Sequence, residues 1–170
     1  LGSVGSITVA AGSTAESVAT LANAQTGSTG VQATAITKGA LTITDAGTVS
    51  FTLAGSGSQS ISATLSSASD LTSLRDEING SSGQTGVTAT GTGATLELTS
   101  ATGKDIKITN MASTGTAASA TVGTVRALKS DGTTDATQTA VNLVENANDS
   151  ATFGGSVTFD SNSAFSITSS

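Results

Sequence analysis

The clearest hydrophobic pattern in the chain starts at Gly47, in the stretch GTVSFTLAG. Apolar residues alternate there with serine and threonine, as expected for a strand with one buried face. After a glycine-containing turn, the stretch QSISATL resumes the alternation and ends at Leu65. The two stretches together predict a β-hairpin.

The spacing of apolar residues then changes from every second residue to that of a helix. Leu71, Leu74 and Ile78 lie at i, i+3 and i+7, which is one stripe of an amphipathic helix. Ser67 and Asp70 have the spacing of a capping box, which satisfies free amide groups at a helix start. A glycine, Gly80, follows Asn79, where a left-handed residue would end the helix.

Three further strands are predicted after this helix, in the stretches GVTAT, ATLELTS and KDIKIT. The order of this block is therefore strand, strand, helix, strand, strand, strand. We expect the helix stripe to pack on apolar side chains of these strands. Those side chains are Val49, Phe51, Leu96 and Ile106.

A fainter copy of the same order precedes this block. GSITVAAG predicts a strand with Ile7 and Val9, and Ser13 and Glu16 repeat the capping-box spacing. A weaker helix stripe and a strand follow; their apolar residues are Val18, Leu21, Ala22, Val31, Ala33 and Ala35. When Leu21 is aligned with Leu74, the loop after the helix is shorter in this copy, and Leu41 and Ile43 match Leu96 and Leu98.

The last third of the chain predicts strands without a helix. A low-complexity connector follows Met111, and TVRALKSDGTTD and TQTAVNLVEN predict strands around a turn at Asp131–Gly132. GGSVTFDSNSAFSITSS predicts a final hairpin. The apolar residues that this hairpin would turn inward are Val157, Phe159, Phe165 and Ile167.

These patterns predict an α+β fold that is mostly β. We divide the chain into a first unit at residues 1–45, a second unit at 46–112, and a β-rich C-terminal segment at 113–170. Each unit has a hairpin or strand, one helix and further strands. We expect the C-terminal segment to pack with residues 1–45.

The composition removes most of the side chains that enzymes use. The chain has no His and no Cys, so histidine-based triads, thiol chemistry and common zinc sites are excluded. The remaining carboxylates at Asp70, Asp76 and Glu77 are explained by helix capping and a solvated face. The segment from Asp131 to Asp135 lacks the other ligands of a calcium loop and is interpreted as a turn. We therefore predict no catalytic residue, no cofactor site and no metal site.

The charge pattern argues against two classes of partner. The formal net charge is −6, and the 6 basic residues are scattered along the chain. Nucleic-acid binding requires clustered basic residues and is helped by stacking aromatics, whereas this chain has no Trp and no Tyr. No apolar run approaches the roughly 20 residues of a membrane span. We therefore expect neither nucleic acid nor membrane as a partner.

The stretch DLTSLRDEING, followed by TGVTATGTGATLELTSATGKDIKI, resembles the hook IN motif of bacterial flagellins. The name of the motif fits Ile78–Asn79. The motif occurs in the variable central region of flagellins and in filament-cap and other hook-associated proteins. The resemblance is strong over residues 47–110, weaker over 6–44, and general from Val125 onward.

This resemblance implies a structural protein and not an enzyme. Flagellin is secreted, assembles into the extracellular filament used for motility, and exposes its central region to solvent. We expect this sequence to be a fragment without the terminal helices that join flagellin subunits, and hence monomeric on its own. The second unit would be the outermost lobe. O-linked glycans on outward Ser and Thr residues are a further hypothesis, with Ser81, Ser82, Ser113 and Thr114 as examples.

Two alternatives remain open from the sequence. One is a domain of a hook-associated or filament-cap protein, which shares the motif. The other is a repeat domain of a bacterial surface adhesin, which would share the acidic, Ser/Thr/Gly-rich composition. Adhesin repeats are usually all-β, so the predicted helix between strands disfavours that alternative.

Overall fold

Residues 4–115 and 120–168 are described by a computed structural model, and they contain four helices and ten strands. The helices are α1 (Ala15–Asn23), α2 (Thr26–Thr29), α3 (Thr72–Gly80) and α4 (Ser82–Thr85). The strands are β1 (Val31–Ile43), β2 (Gly47–Ala54), β3 (Ser58–Leu65), β4 (Thr88–Thr90), β5 (Thr95–Ser100), β6 (Ile106–Ser113), β7 (Thr121–Leu128), β8 (Val141–Val144), β9 (Ala151–Phe153) and β10 (Ser156–Ser161). The predicted α+β, mostly β class is confirmed.

The strands form two sheets in which every pairing is antiparallel. The first sheet has the order β4-β5-β1-β7-β8, and β10 also pairs with β1. The second has the order β3-β2-β6-β9. The long strand β1 joins distant parts of the chain, since residues 31–36 pair with β10 and its second half pairs with β5 and β7.

The predicted hairpin is present as β2 and β3. Buried apolar residues of the two strands lie opposite each other at two positions. Phe51 pairs with Ile61 and Val49 with Ala63, and all four side chains are buried. The predicted strands β4, β5 and β6 are present as well. Alternation with period two was therefore a sufficient signal in this block.

Helix α3 has the predicted buried stripe but not the predicted ends. Leu71, Leu74 and Ile78 are 0% exposed. The capping box at Ser67 and Asp70 was wrong, since Asp70 accepts a hydrogen bond from the Thr72 amide at 3.0 Å while Ser67 accepts one from Ser69. The left-handed stop at Gly80 was also wrong. Gly80 is the last helical residue, because the short helix α4 follows directly.

One large core lies between the two sheets and α3. The α3 stripe belongs to the same cluster of buried side chains as Val49, Phe51, Leu96 and Ile106, so the helix and these strand residues share one core. A second, smaller cluster lies under α1 and consists of Ala15, Ala19, Ala33 and Ala35. Alanine buries little apolar surface, so this second cluster contributes much less hydrophobic stabilisation than the first.

The strand predicted in GSITVAAG was wrong. Residues 4–10 carry no strand assignment, and Val4 and Val9 are 93% and 48% exposed. A strand needs a neighbour to bond its amide and carbonyl groups. Within residues 4–115 and 120–168, no strand is paired with this segment.

The C-terminal third was predicted in part. β7 and β8 pair around the loop that contains the turn at Asp131–Gly132. Residues 116–119 of the predicted connector lie outside the described residues, but β7 begins at Thr121 and buries Val122 and Val125.

The final hairpin was wrong. β10 pairs with β1, and residues 162–168 form no strand. The two residues expected to turn inward from this segment are exposed, Phe165 at 43% and Ile167 at 60%. Within the described part of the chain, no helix is long and apolar enough to cross a membrane.

Candidate functional site

A single asparagine ties helix α3 to the strand that follows it. Asn79, in the last turn of α3, donates from Nδ2 to the Ala89 carbonyl at 2.9 Å and accepts the Ala89 amide on Oδ1 at 2.8 Å. Both backbone groups of Ala89 are thereby satisfied by one side chain. We call this pair of bonds the asparagine clamp.

The loop inside the clamp has a defined conformation. α4 ends at Gly86, whose φ of 69° is left-handed and favours glycine. Thr85 donates to the Ser81 carbonyl at 3.1 Å and accepts from the Val87 amide at 3.2 Å. The threonine hydroxyl therefore bridges the end of the helix and the start of β4.

The same contacts recur in the first unit, 56 residues earlier in the chain. Asn23 binds both backbone groups of Ala33, at 2.8 and 2.7 Å. Thr29 donates to the Gln25 carbonyl at 2.9 Å and accepts from the Val31 amide at 3.2 Å. Gly30 ends α2 with the same φ of 69°. The sequences TGVQAT and TGVTAT carry this shared geometry.

These contacts correct the alignment of the two copies. Asn23 and Asn79 each lie ten residues before their alanine, so the two loops have equal length and the predicted difference was wrong. Leu74 corresponds to Val18, and Leu21 is 40% exposed. The first helix is also capped by Thr14, which accepts from the Ser17 amide, and not by Ser13.

A second part of the alignment was wrong for a different reason. Leu41 does not occupy the place of Leu96 in another copy; it lies directly opposite Leu96 in the first sheet. The two strands look alike in sequence because they are neighbours in one sheet, and each places its apolar residues on the same face.

Each clamp covers the edge of a strand. β4 is the outermost strand of the first sheet, and residues 31–36 of β1 have β10 as a strand partner. An open edge presents amide and carbonyl groups that can recruit a strand of another molecule. The asparagines bind these groups at Ala89 and Ala33, which leaves them unavailable to a strand of another molecule.

The charged residues make local contacts. Lys38 and Glu97 form a partly buried ion pair at 2.7 Å between β1 and β5. The exposed pairs are Arg75–Asp76 and Lys104–Glu16, and such pairs contribute little stability. These contacts support the strands and helices on which they lie.

The Asp131–Asp135 loop binds its own threonines. The Thr133 hydroxyl and amide both donate to Asp131 and hold its pKa below the ordinary value. The amide and hydroxyl of Thr137 do the same for the pKa of Asp135. Among the described residues, no group of three or more potential ligands could hold a metal ion.

A polar depression of about 350 Å³ lies beside this loop. Lys129, Asp135 and Gln138 line it on one side and the glycines Gly154 and Gly155 on the other. The Asp135 carboxylate is already bonded to Thr137, and Arg126 donates to the Asp135 carbonyl at 2.9 Å. The carboxylate and the carbonyl of Asp135 are therefore both engaged in hydrogen bonds to neighbouring residues.

Comparison with known protein families finds a match, which lies within the second unit. Residues 48–102 match the flagellin hook IN motif, which covers β2 through β5. Over these residues the chain is similar to the hook IN motif of flagellins. The resemblance noted in the sequence is confirmed over residues 48–102. No curated protein matches the chain.

The hook IN motif contains the clamp of Asn79, and its counterpart at Asn23 lies outside the matched residues. Sequence reasoning missed both clamps. The available signal was the repeated TGV-x-AT stretch with an asparagine ten residues ahead of its alanine.

One of the hydroxyls proposed as glycan acceptors is poorly placed for that role. Ser113 is 7% exposed. Ser82 donates to the Asn79 carbonyl at 2.7 Å, and Thr114 accepts from the Thr48 amide at 3.0 Å. Of these residues, Thr114 is exposed.

Replacing Asn79 with alanine is expected to lower the free energy of unfolding by about 1–3 kcal/mol, since two hydrogen bonds of about 1 kcal/mol each are lost. Urea denaturation measures this change. Asn162→Ala, at an exposed position, is the matched control and should change stability by less than about 0.5 kcal/mol. Equal stability of the two variants would show that the Asn79 clamp does not stabilise the fold.

Proposed function

We propose that this chain is the outer, solvent-facing region of a flagellin subunit, and that the assembled subunits form the extracellular filament used for motility. The hook IN motif at residues 48–102 is the observation that carries the proposal. Flagellins are structural proteins, so the chain would act through its shape and surface and not through catalysis.

The described fold agrees with a role on a solvent-facing surface. Apolar side chains of the second unit are enclosed in one core, while Ser and Thr alternate with them on the outward faces of the strands. The clamps bind backbone groups at strand edges, which would limit strand exchange between subunits packed along a filament. The net charge of −6 would add repulsion between neighbouring outer domains.

The division of the chain follows from the same proposal. Residues 46–112 would be the outermost lobe, and residues 1–45 and 113–170 would lie closer to the filament core. Assembly with other flagellin subunits would depend on terminal helices outside this sequence, so the chain alone would be monomeric. The whole subunit would be a secreted protein. Exposed hydroxyls such as Thr114 would be available to O-linked glycans.

Immunogold electron microscopy of whole bacteria tests this function. Antibody raised against residues 1–170 is expected to label the filament along its whole length, because every subunit would present this region. Label confined to the filament tip or the hook junction would instead assign the chain to a cap or hook-associated protein. Label over the cell body, with bare filaments, would support a surface adhesin and contradict the proposal.

A further inference from the structure

The repeat between the two units extends beyond the clamps toward the N-terminus. In the register set by Asn23 and Asn79, the residues SITV at 6–9 fall on SATL at 62–65, the end of β3. Residues 4–9 are therefore the counterpart of a strand. Their position agrees, since Gly5 lies against Gln25 and Thr29 of the first clamp loop. In the second unit, β3 likewise contacts the corresponding short helix, α4.

The repeat also extends toward the C-terminus, although the counterpart there comes from a distant part of the chain. In the second unit, Ala89 of β4 lies opposite Leu98 of β5. In the first unit, Ala33 of β1 lies opposite Phe159 of β10. Thus β10 takes the place of β5, and VTFDS aligns with LELTS.

The segment after β10 completes this correspondence. After β5 the chain turns and enters β6, which begins with IKIT. After β10 the chain turns and continues with FSIT, at residues 165–168. When the turn after β10 is taken as two residues shorter than the turn after β5, the segment 165–168 is the counterpart of β6, with Phe165 in the place of Ile106 and Ile167 in the place of Ile108.

One strand of the second unit has no counterpart among the described residues. β2 lies between β3 and β6 and pairs with both. The two segments that would flank its counterpart, 4–9 in the first unit and 165–168 in the C-terminal segment, form no strand. Val9, Phe165 and Ile167 are 48%, 43% and 60% exposed, whereas their counterparts Leu65, Ile106 and Ile108 are 3%, 0% and 0% exposed.

The helix contacts differ in the same way. α3 packs against β3 and β4, whereas α1 packs against β1 and β10. The core under α1 consists of four buried alanines, with Val157 and Phe159 partly buried beside them. Among residues 4–115 and 120–168, the first unit thus has the helix and one sheet of the motif, without a second sheet.

We propose that residues 4–9 and 165–168 form the two sides of a slot that accepts one antiparallel β-strand of the β2 type. The occupant is an uncharged extended segment in which apolar residues alternate with Ser or Thr, as in GTVSFTLAG, joined to residues 4–9 by a short turn. β2 itself has this chemistry and occupies the corresponding position in the second unit. The inference rests on the internal repeat and does not depend on a role in the filament.

The repeat register fixes the design of the test. Leu1 corresponds to Gly57, so a copy of residues 47–56, GTVSFTLAGS, is fused directly ahead of Leu1. The matched control extension is GTSSSTSAGS, which has the same length and lacks the three large apolar side chains. Amide hydrogen exchange is measured by mass spectrometry in both proteins and in the unextended chain.

The β2-type extension is expected to slow exchange at least about tenfold in residues 4–9 and in residues 165–168, because amides gain partners in a ladder. The control extension should leave both segments as fast as in the unextended chain, while the Ala89 region stays protected in all three proteins. Equal exchange in the two extended proteins would overturn the proposal. Protection of residues 4–9 alone would also overturn it, because a hairpin and not a slot would have formed.

A second measurement separates the proposed occupant from another copy of the chain. Sedimentation of the unextended chain is expected to show a monomer whose exposed segments exchange rapidly. Concentration-dependent dimerisation that protects residues 4–9 and 165–168 would assign the surface to self-association and overturn the proposed strand.

Discussion

Leu74→Ala is expected to lower the free energy of unfolding by about 2–5 kcal/mol. Leu74 is 0% exposed at the centre of the α3 stripe, within the core shared by both sheets. The substitution removes buried apolar atoms and leaves a cavity that the closely packed surroundings fill only in part. Denaturant unfolding followed by circular dichroism measures the loss.

Leu21→Ala is the matched control for Leu74→Ala, since it makes the same chemical change in helix α1, at a 40% exposed position. Its stability should stay within about 0.5 kcal/mol of the unsubstituted chain. If Leu74→Ala unfolded at the same denaturant concentration as Leu21→Ala, α3 would not pack as described. The described position of α3 in the core of residues 48–102 would then be wrong.

Phe153→Ala is expected to cost about 3–5 kcal/mol. Phe153 is 2% exposed in β9 of the second sheet, and its ring lies over Gly39 of β1 in the first sheet. A Cβ atom on Gly39 would come within 2.6 Å of the ring, so the absence of a side chain at Gly39 allows this contact. Thermal unfolding should show one transition, shifted to lower temperature.

Phe165→Ala supplies the control for Phe153, because Phe165 is 43% exposed and lies outside both sheets. It should leave the melting temperature nearly unchanged. Equal melting temperatures for the two variants would contradict the packing of β9 against β1, and with it the contact between the C-terminal segment and the first unit.

The sequence predicted the second unit well because two strong periodic signals lie side by side there. Strict alternation from Val49 to Leu53 defines a strand with one buried face, and the stripe from Leu71 to Ile78 defines a helix with one buried face. Both faces enter the same core. Local pattern and tertiary packing therefore agree, and the prediction succeeds where they agree.

The first unit and the C-terminus were harder because alternation does not say which strand is the partner. GSITVAAG and SAFSIT alternate as strands do, yet no strand pairs with either segment in the described residues. The pairing of β10 with β1 joins residues that are far apart in the chain. Such contacts depend on the whole fold and leave no local signal.

The clamps were missed for a different physical reason. Hydrophobic periodicity aligned Leu21 with Leu74, because leucine is the larger apolar residue in a helix rich in alanine. The structural register is instead set by polar contacts of Asn23 and Asn79 and by left-handed glycines. Side-chain bonds to the backbone are specific in geometry but contribute little to a hydrophobic pattern.

The central claim is that one helix–strand unit is built twice, with Asn23 and Asn79 in the same role. Amide exchange at Ala33 and Ala89, measured by NMR in the unsubstituted chain and in Asn23→Ala and Asn79→Ala, tests it most directly. We predict slow exchange at both alanines in the unsubstituted chain, with each substitution accelerating only the alanine that its own asparagine binds. Rapid exchange at Ala33 in the unsubstituted chain, or an Ala33 amide that does not respond to Asn23→Ala, would contradict the claim.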